Sequence, residues 1–365
     1  MVKKIEIVRF APKNGEGFYD SLKKKIDAYF KDNNIDPHAN TAMKVKTFTI
    51  VAMYLLPYSL MVSGIFAGNL IMLYGMWFLM GVGMVGIGCS IMHDSNHGSY
   101  STNKTLNTWL GKIIALVGGY EVTWKIQHNI LHHTYTNIEG LDDDIDAGVF
   151  LRFSPHAKRY KAHKYQHLYA WFLYGLLTLQ WATIKDFRQV YDYHKKDLLK
   201  KEKLTLSQAM LQLAIYKVLY YAYIFAIPVF VTGLPWQHVL GGFILMHFTA
   251  GLALSCIFQL AHVMGECEFP EPTDDKKMMN SWAVHQVLNT ANFAPRNKPL
   301  SWFIGGLNRQ IEHHLFPQIC HIHYKEIAKL VKQTAHEHDL PYYEYPTFRN
   351  ALLQHGKMLK KLGAA

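Results

Sequence analysis

The sequence predicts an all-α integral membrane protein in which four transmembrane helices carry a helical cap on the cytosolic side. Two observations support this: four apolar stretches have membrane-crossing length, and the lysine-rich blocks all fall on one side of them. A third, a set of histidine clusters beside those stretches, says what the cap is for. The near-neutral mean hydropathy is an average over very apolar blocks and strongly polar ones.

The first two spans come from Thr47 to Phe66 and from Gly68 to Met92, neither of which contains Lys, Arg, Asp or Glu. Each is long enough for a hydrocarbon core of about 30 Å at about 1.5 Å per helical residue. The second pair runs from Gln208 to Val231, interrupted only by Lys217, and from Pro235 to Ala261. The first apolar run starts too far into the chain, and is followed too closely by the next, to read as a cleaved signal peptide. Two weaker stretches, Thr105 to Thr123 and His167 to Ile184, are predicted to lie in the interface or pack on the cap.

The connections at Phe66 to Asn69 and Thr232 to Gln237 carry no Lys or Arg, whereas residues 1–46, the loop 93–207 and the segment 263–365 are rich in them. Positive charge marks the cytosolic side, so both termini and the central loop are predicted there, with residues 47–262 as the membrane domain. The net charge of +11 comes with no nucleic-acid motif. Lys195, Lys196, Lys200, Lys201 and Lys203, just before the third span, read as a solvated face near anionic headgroups. Cys89, Cys256, Cys267 and Cys320 form no close pair, which argues against a disulfide framework or a thiolate site. Asn137 to Ser154 and Gly265 to Met278 read as loops, and the Asp142 to Asp146 run as a solvated acidic loop lacking the glycine and distal glutamate of a calcium site. Ile327, Leu330 and Val331 give the tail from Tyr324 to Leu362 an amphipathic stripe for packing on the cap.

The chemistry-bearing residues are histidines. His93 and His97 are spaced to share one helical face, as are His128 and His132, with His133 about 100° further round and able to address a neighbouring ion. Gln310, His313 and His314 form a third cluster in which the glutamine offers a carbonyl oxygen, and His262 lies at the end of the fourth span. Imidazole is the commonest side-chain ligand for transition metals. Eight imidazoles exceed the four or so that one zinc takes, so two ions fit better, and iron, copper, nickel and zinc all remain open. A centre at the membrane surface points to a lipid substrate.

The segments His93-Asp-Ser-Asn-His97, Trp124-Lys-Ile-Gln-His-Asn-Ile-Leu-His-His133 and Gly305-Gly-Leu-Asn-Arg-Gln-Ile-Glu-His-His-Leu-Phe-Pro317 resemble the three histidine boxes of membrane-bound fatty-acid desaturases. Gln310 in place of the last box's first histidine resembles the front-end subgroup, as do Trp282-Ala-Val-His-Gln286 and Asn292-Phe293. The likeness runs from roughly Thr47 to His323. It implies two iron ions held by the box histidines and His262, oxygen as co-substrate, and a cis double bond inserted into an acyl lipid or thioester, with no separate catalytic acid or base. Asp94, Asn129, Asn137 and Asn308 are candidates to orient imidazoles, Glu312 for a contact near the ligands or at the surface, and Trp124, Trp282 and Gln286 for substrate contact. No His-Pro-Gly-Gly haem motif of a fused cytochrome b5 occurs in the sequence. The resemblance then implies a separate donor, ferredoxin or cytochrome b5, for which Arg152, Lys158, Arg159, Lys161 and Lys164 form a candidate dock. Histidine spacing does not separate desaturation from hydroxylation, acetylenic bond formation or conjugation on the same scaffold. A metal transporter is disfavoured because Lys217 and His247, with His238 at one end, are the only ionisable groups within the spans.

Overall fold

The computed structural model describes residues 8–12, 17–66 and 68–364. Among them, four helices are long and apolar enough to cross a membrane: Thr41–Val62, Leu70–His97, Leu206–Thr232 and Trp236–His262. The first begins six residues before the charge-free run because the Asn40 side chain accepts the Met43 amide and caps it. The helix therefore takes in Lys44 and Lys46, and Lys46 is buried, with its ammonium 2.7 Å from His321 Nε2.

The second and fourth spans form the centre of the bundle. In their apolar windows 50% and 56% is buried, against 28% and 22% for the first and third, whose faces are left for lipid. Close approach depends on small residues, as is usual where helices pack in lipid. A side chain at Gly83 would lie 2.8 Å from the Tyr54 amide of the first span, and one at Gly81 would lie 2.7 Å from the Met246 carbonyl of the fourth.

The chain between the second and third spans is helical over Lys104–Gly111, Glu121–Lys125 and Gln166–Gly175, and then through Leu177–Gln180, Trp181–Lys185 and Asp186–Lys195. The Gln166–Gly175 helix packs along the fourth span, with Phe172 against Phe248, while Leu168 and Phe172 stay largely exposed.

A second apolar cluster builds the cap. Helix Phe18–Asp32 buries Phe18, Leu22, Ile26 and Phe30, one residue every helical turn, against Ile311, Leu315, Ile327 and Val331. Asn292–Phe293 and Glu344–Tyr345 form a two-residue parallel pair. Before the third cluster, Gly305 sits at φ +64°, and a side chain there would reach 2.2 Å from the Cys89 carbonyl. Only glycine lets this loop lie flat on the second span and deliver Gln310–Leu315 beside His93.

Candidate metal centre

The second span changes to a π-helical turn over Ile87–Met92 and closes as α-helix over His93–His97. The α-helical spacing leaves the His93 and His97 rings 4.7 Å apart. In the second cluster, Ile126–His132 is itself a π-turn, so residues five apart share a face. His128 and His133 converge, Nε2 to Nε2 3.2 Å. His128 and His132 also stay side by side as α-helical spacing predicts, with stacked rings 5.3 Å apart and a shared neighbour in Asp144, while His132 groups in addition with His262 and His314. In the third cluster the adjacent rings of His313 and His314 diverge by 81°. His313 joins His93, His97 and His128, and His314 joins His132 and His262. His133 lies between the two groups, with Nε2 2.9 Å from His313 Nε2 and its ring stacked 4.4 Å from His314.

Tautomers follow from what surrounds the rings. Nδ1 of His132 donates to Asp142 at 3.0 Å, that of His314 to Gln286 Oε1 at 2.8 Å and that of His313 to Tyr324 Oη at 3.1 Å. His128 Nδ1 lies 3.4 Å from Asp144, and His262 Nδ1 the same distance from the Asn289 carbonyl. Each of these leaves the Nε2 lone pair facing inward. The Nε2 atoms of His97, His262 and His314 are buried with no hydrogen-bond partner. Converging unpartnered lone pairs are costly among themselves and suit transition-metal cations.

Electrostatics agree outside the spans. Burial holds the His128 imidazole down to about 3, and it depresses His133, His313 and His314 as well, with their histidine neighbours adding to the effect. These rings are neutral and ready to donate. At His132 burial pulls downward, but Asp142 and Asp144 outweigh it and raise the group to about 9.

The acidic run is therefore not a solvated loop. Asp142 is buried and accepts from His132 and from the amides of Asn137 and Asp144, while Asp143 accepts from Tyr193, and only Asp146 is exposed. Sequence reading missed Asp142 and Asp144 because acidic residues in a polar stretch carry no periodic signal. Asp94 lies 3.9 Å from His93 Nδ1 and 2.7 Å from His321 Nδ1. Three expected imidazole orienters bond to main chain instead: Asn129 to the Asn96 carbonyl, Asn137 to that of His262, Asn308 to that of Ala294. Trp282 and Gln286, expected at the substrate, both donate to the His133 carbonyl. Gln310 is buried with an unpartnered side-chain amide nitrogen. Glu312 is also buried, accepts from Asn292 and Tyr342, and is raised by burial to about 7. Arg152 leaves the expected basic dock, since its guanidinium is buried on the carbonyls of Ala157 and Leu362.

Next to the histidines lies a narrow apolar cavity between the second and fourth spans, lined by Met84, Gly88, Met92, Trp124, Leu254 and Phe258 among others. Trp124 also packs on the rings of His93, His97 and His128.

A family profile described as fatty acid desaturase matches residues 69–346. An sn-1 linoleoyl-lipid 6-desaturase of Arthrospira platensis is 34% identical over 95% of this chain and 92% of its own. A protein of the same name from Synechocystis is 33% identical over 99% of both chains. An acyl-lipid (8-3)-desaturase of Physcomitrium patens is 36% identical over 98% of this chain and 74% of its own.

Proposed function

The chain belongs to the fatty acid desaturase family and is an oxidoreductase of fatty acyl chains, and from that premise we propose a front-end acyl-lipid desaturase with two irons on the cytosolic face. The observation that carries the metal assignment is the inward convergence of Nε2 atoms whose Nδ1 partners are fixed from outside. His93, His97, His128 and His313 would hold one ion, and His132, His262 and His314 the other, with His133 between them. Iron held there supplies the redox chemistry. Overall, two adjacent methylenes, O2, two electrons and two protons yield a cis alkene and two waters.

The protein's own part is positional. Asp142, Gln286 and Tyr324 fix ring orientation, and such partners typically carry 10- to 100-fold in affinity or activity. Met92, Trp124 and Phe258 keep the cavity beside the centre dry and apolar, which suits a saturated stretch of acyl chain. The names of the relatives support an esterified, already unsaturated substrate that gains its new bond on the carboxyl side. An acidic ferredoxin or cytochrome b5 would supply the electrons at a basic surface formed by Lys158, Arg159, Lys161 and Lys164, all exposed.

The test is expression in a host supplied with linoleate, with fatty acids analysed by gas chromatography and mass spectrometry and iron measured in purified protein. A new carboxyl-side double bond and close to two irons per chain are expected. Alanine at any of the eight histidines should abolish the product, and a fully active single variant would remove that residue from the centre. Hydroxylated product would overturn the assignment.

A further inference from the structure

Lys217 lies in the middle of the third span and is buried, yet nothing in the metal centre uses it. An ionisable group in a membrane span is costly and is kept where it does something specific. Its ammonium donates to the Gly118 carbonyl at 2.7 Å, the Trp181 carbonyl at 2.6 Å and Asp186 Oδ2 at 2.7 Å. The other oxygen of Asp186 accepts from Thr123 at 2.8 Å.

These contacts converge on one constriction. Beside the apolar cavity lies a smaller one, whose lining includes Thr123, Gln127, Asp186 and Gln189. The two chambers share four lining residues: Ile114, Gly119, Trp124 and Trp181. Lys217 holds Trp181 by its own carbonyl and Gly119 through the carbonyl of its neighbour. Trp124 follows Thr123, which is tied to Asp186. One ion pair thus fixes three of the four residues at the neck, and Trp124 is the one packed on the histidines.

We propose that the Lys217–Asp186 pair determines positional specificity, by setting the neck through which the acyl chain passes the metal centre. The proposal rests on the desaturase reading above and deepens it. The chamber that Thr123, Gln127, Asp186 and Gln189 help to line seats the ester end, and the one beside Leu254 and Phe258 takes the methyl end. The reacting pair of carbons lies at the neck, beside Trp124 and the histidines it packs on. Lys217 and Asp186 are positioning residues, since neither touches a ligand histidine.

The experiment compares wild type with Lys217→Met, Lys217→Arg, Asp186→Asn and Trp181→Leu in cells fed precursors of two chain lengths. Double-bond positions are read from mass spectra of dimethyloxazoline derivatives, and protein amount from a fused fluorophore. Lys217→Met and Asp186→Asn should lower the original product by roughly 10- to 100-fold, the scale of an ångström-sized misplacement, and give a displaced positional isomer or an altered chain-length preference. Lys217→Arg keeps donors for the same oxygens and should keep the original position. A pair that merely stabilises the fold predicts less product with unchanged position and unchanged preference, and that result overturns the proposal. Should the Lys217 and Asp186 variants fail to accumulate, Trp181→Leu alters the neck without touching the pair, and wild-type position and preference from it are equally fatal. A wild-type bond on the methyl side would sink the front-end reading, while variant and wild type could still be compared.

Discussion

Replacing Asp142 by asparagine tests the centre at its most constrained outer partner. The carboxylate receives only donors: His132 Nδ1 at 3.1 and 3.0 Å from its two oxygens, the Asn137 amide at 2.9 Å from Oδ2 and the Asp144 amide at 2.9 Å from Oδ1. Asparagine has one oxygen and one NH2 group, so either rotamer sets a donor against one of those two backbone amides. An unmet buried donor costs about 1–3 kcal/mol, and losing the charge removes the stronger, charge-assisted bond to His132. At 1.36 kcal/mol per tenfold, the direct effect is roughly 10- to 100-fold, the same range seen when partners of ligand histidines are lost. The assay is product per unit of purified protein together with iron per chain, with Asp146→Asn as the exposed control. Activity within about twofold of wild type and full iron would refute the claim that Asp142 fixes His132, since that claim requires a loss of at least the lower figure.

Other consequences can be measured in the same system. Gly83→Ala should lower the thermal midpoint of detergent-solubilised protein, because the new carbon falls 2.8 Å from backbone that cannot rotate away; an unchanged melting curve would show that the first two spans pack otherwise. Gly88→Phe projects a ring into the apolar cavity beside Leu254. It should shift preference severalfold toward shorter acyl chains in a competition between two precursors. Reversing the charges of Lys158, Lys161 and Lys164 should slow turnover at low ionic strength and flatten its salt dependence, as expected when steering to an acidic donor is removed. Turnover that keeps the wild-type salt profile would place the donor elsewhere.

Much of the architecture was legible because lipid imposes length and charge rules that short stretches of sequence display directly. The four apolar runs needed only counting, whereas His262 joined the ligands only when span order and the family resemblance agreed. What escaped had no local signature. The π-turn at Ile126–His132 also brings residues five apart together, so the spacing showed His128 beside His132 but not the approach of His133 to His128. Asp142 and Asp144 became orienting groups only because the loop after the second cluster folds back over it. Gln286 reaches His314 across 28 residues, and Lys217 finds Asp186 across 31; such pairs depend on tertiary closure and not on any periodicity.

The ligands come from four parts of the chain, and the order in which those parts leave the ribosome constrains how the enzyme can be made. At about 5–20 residues per second, the 220 residues between His93 and His313 take roughly ten to forty seconds to synthesise. His313 and His314 are the last of these histidines to be made, and each of the two proposed ion sites needs one of them, so neither site has its full set of donors until then. On the proposed reading, metal insertion would be a late event in biogenesis that follows arrival of the carboxy-terminal segment. If iron fills the proposed centre, it would clasp the membrane bundle to the carboxy-terminal segment, and iron starvation should show first as a shorter cellular lifetime of the full-length chain.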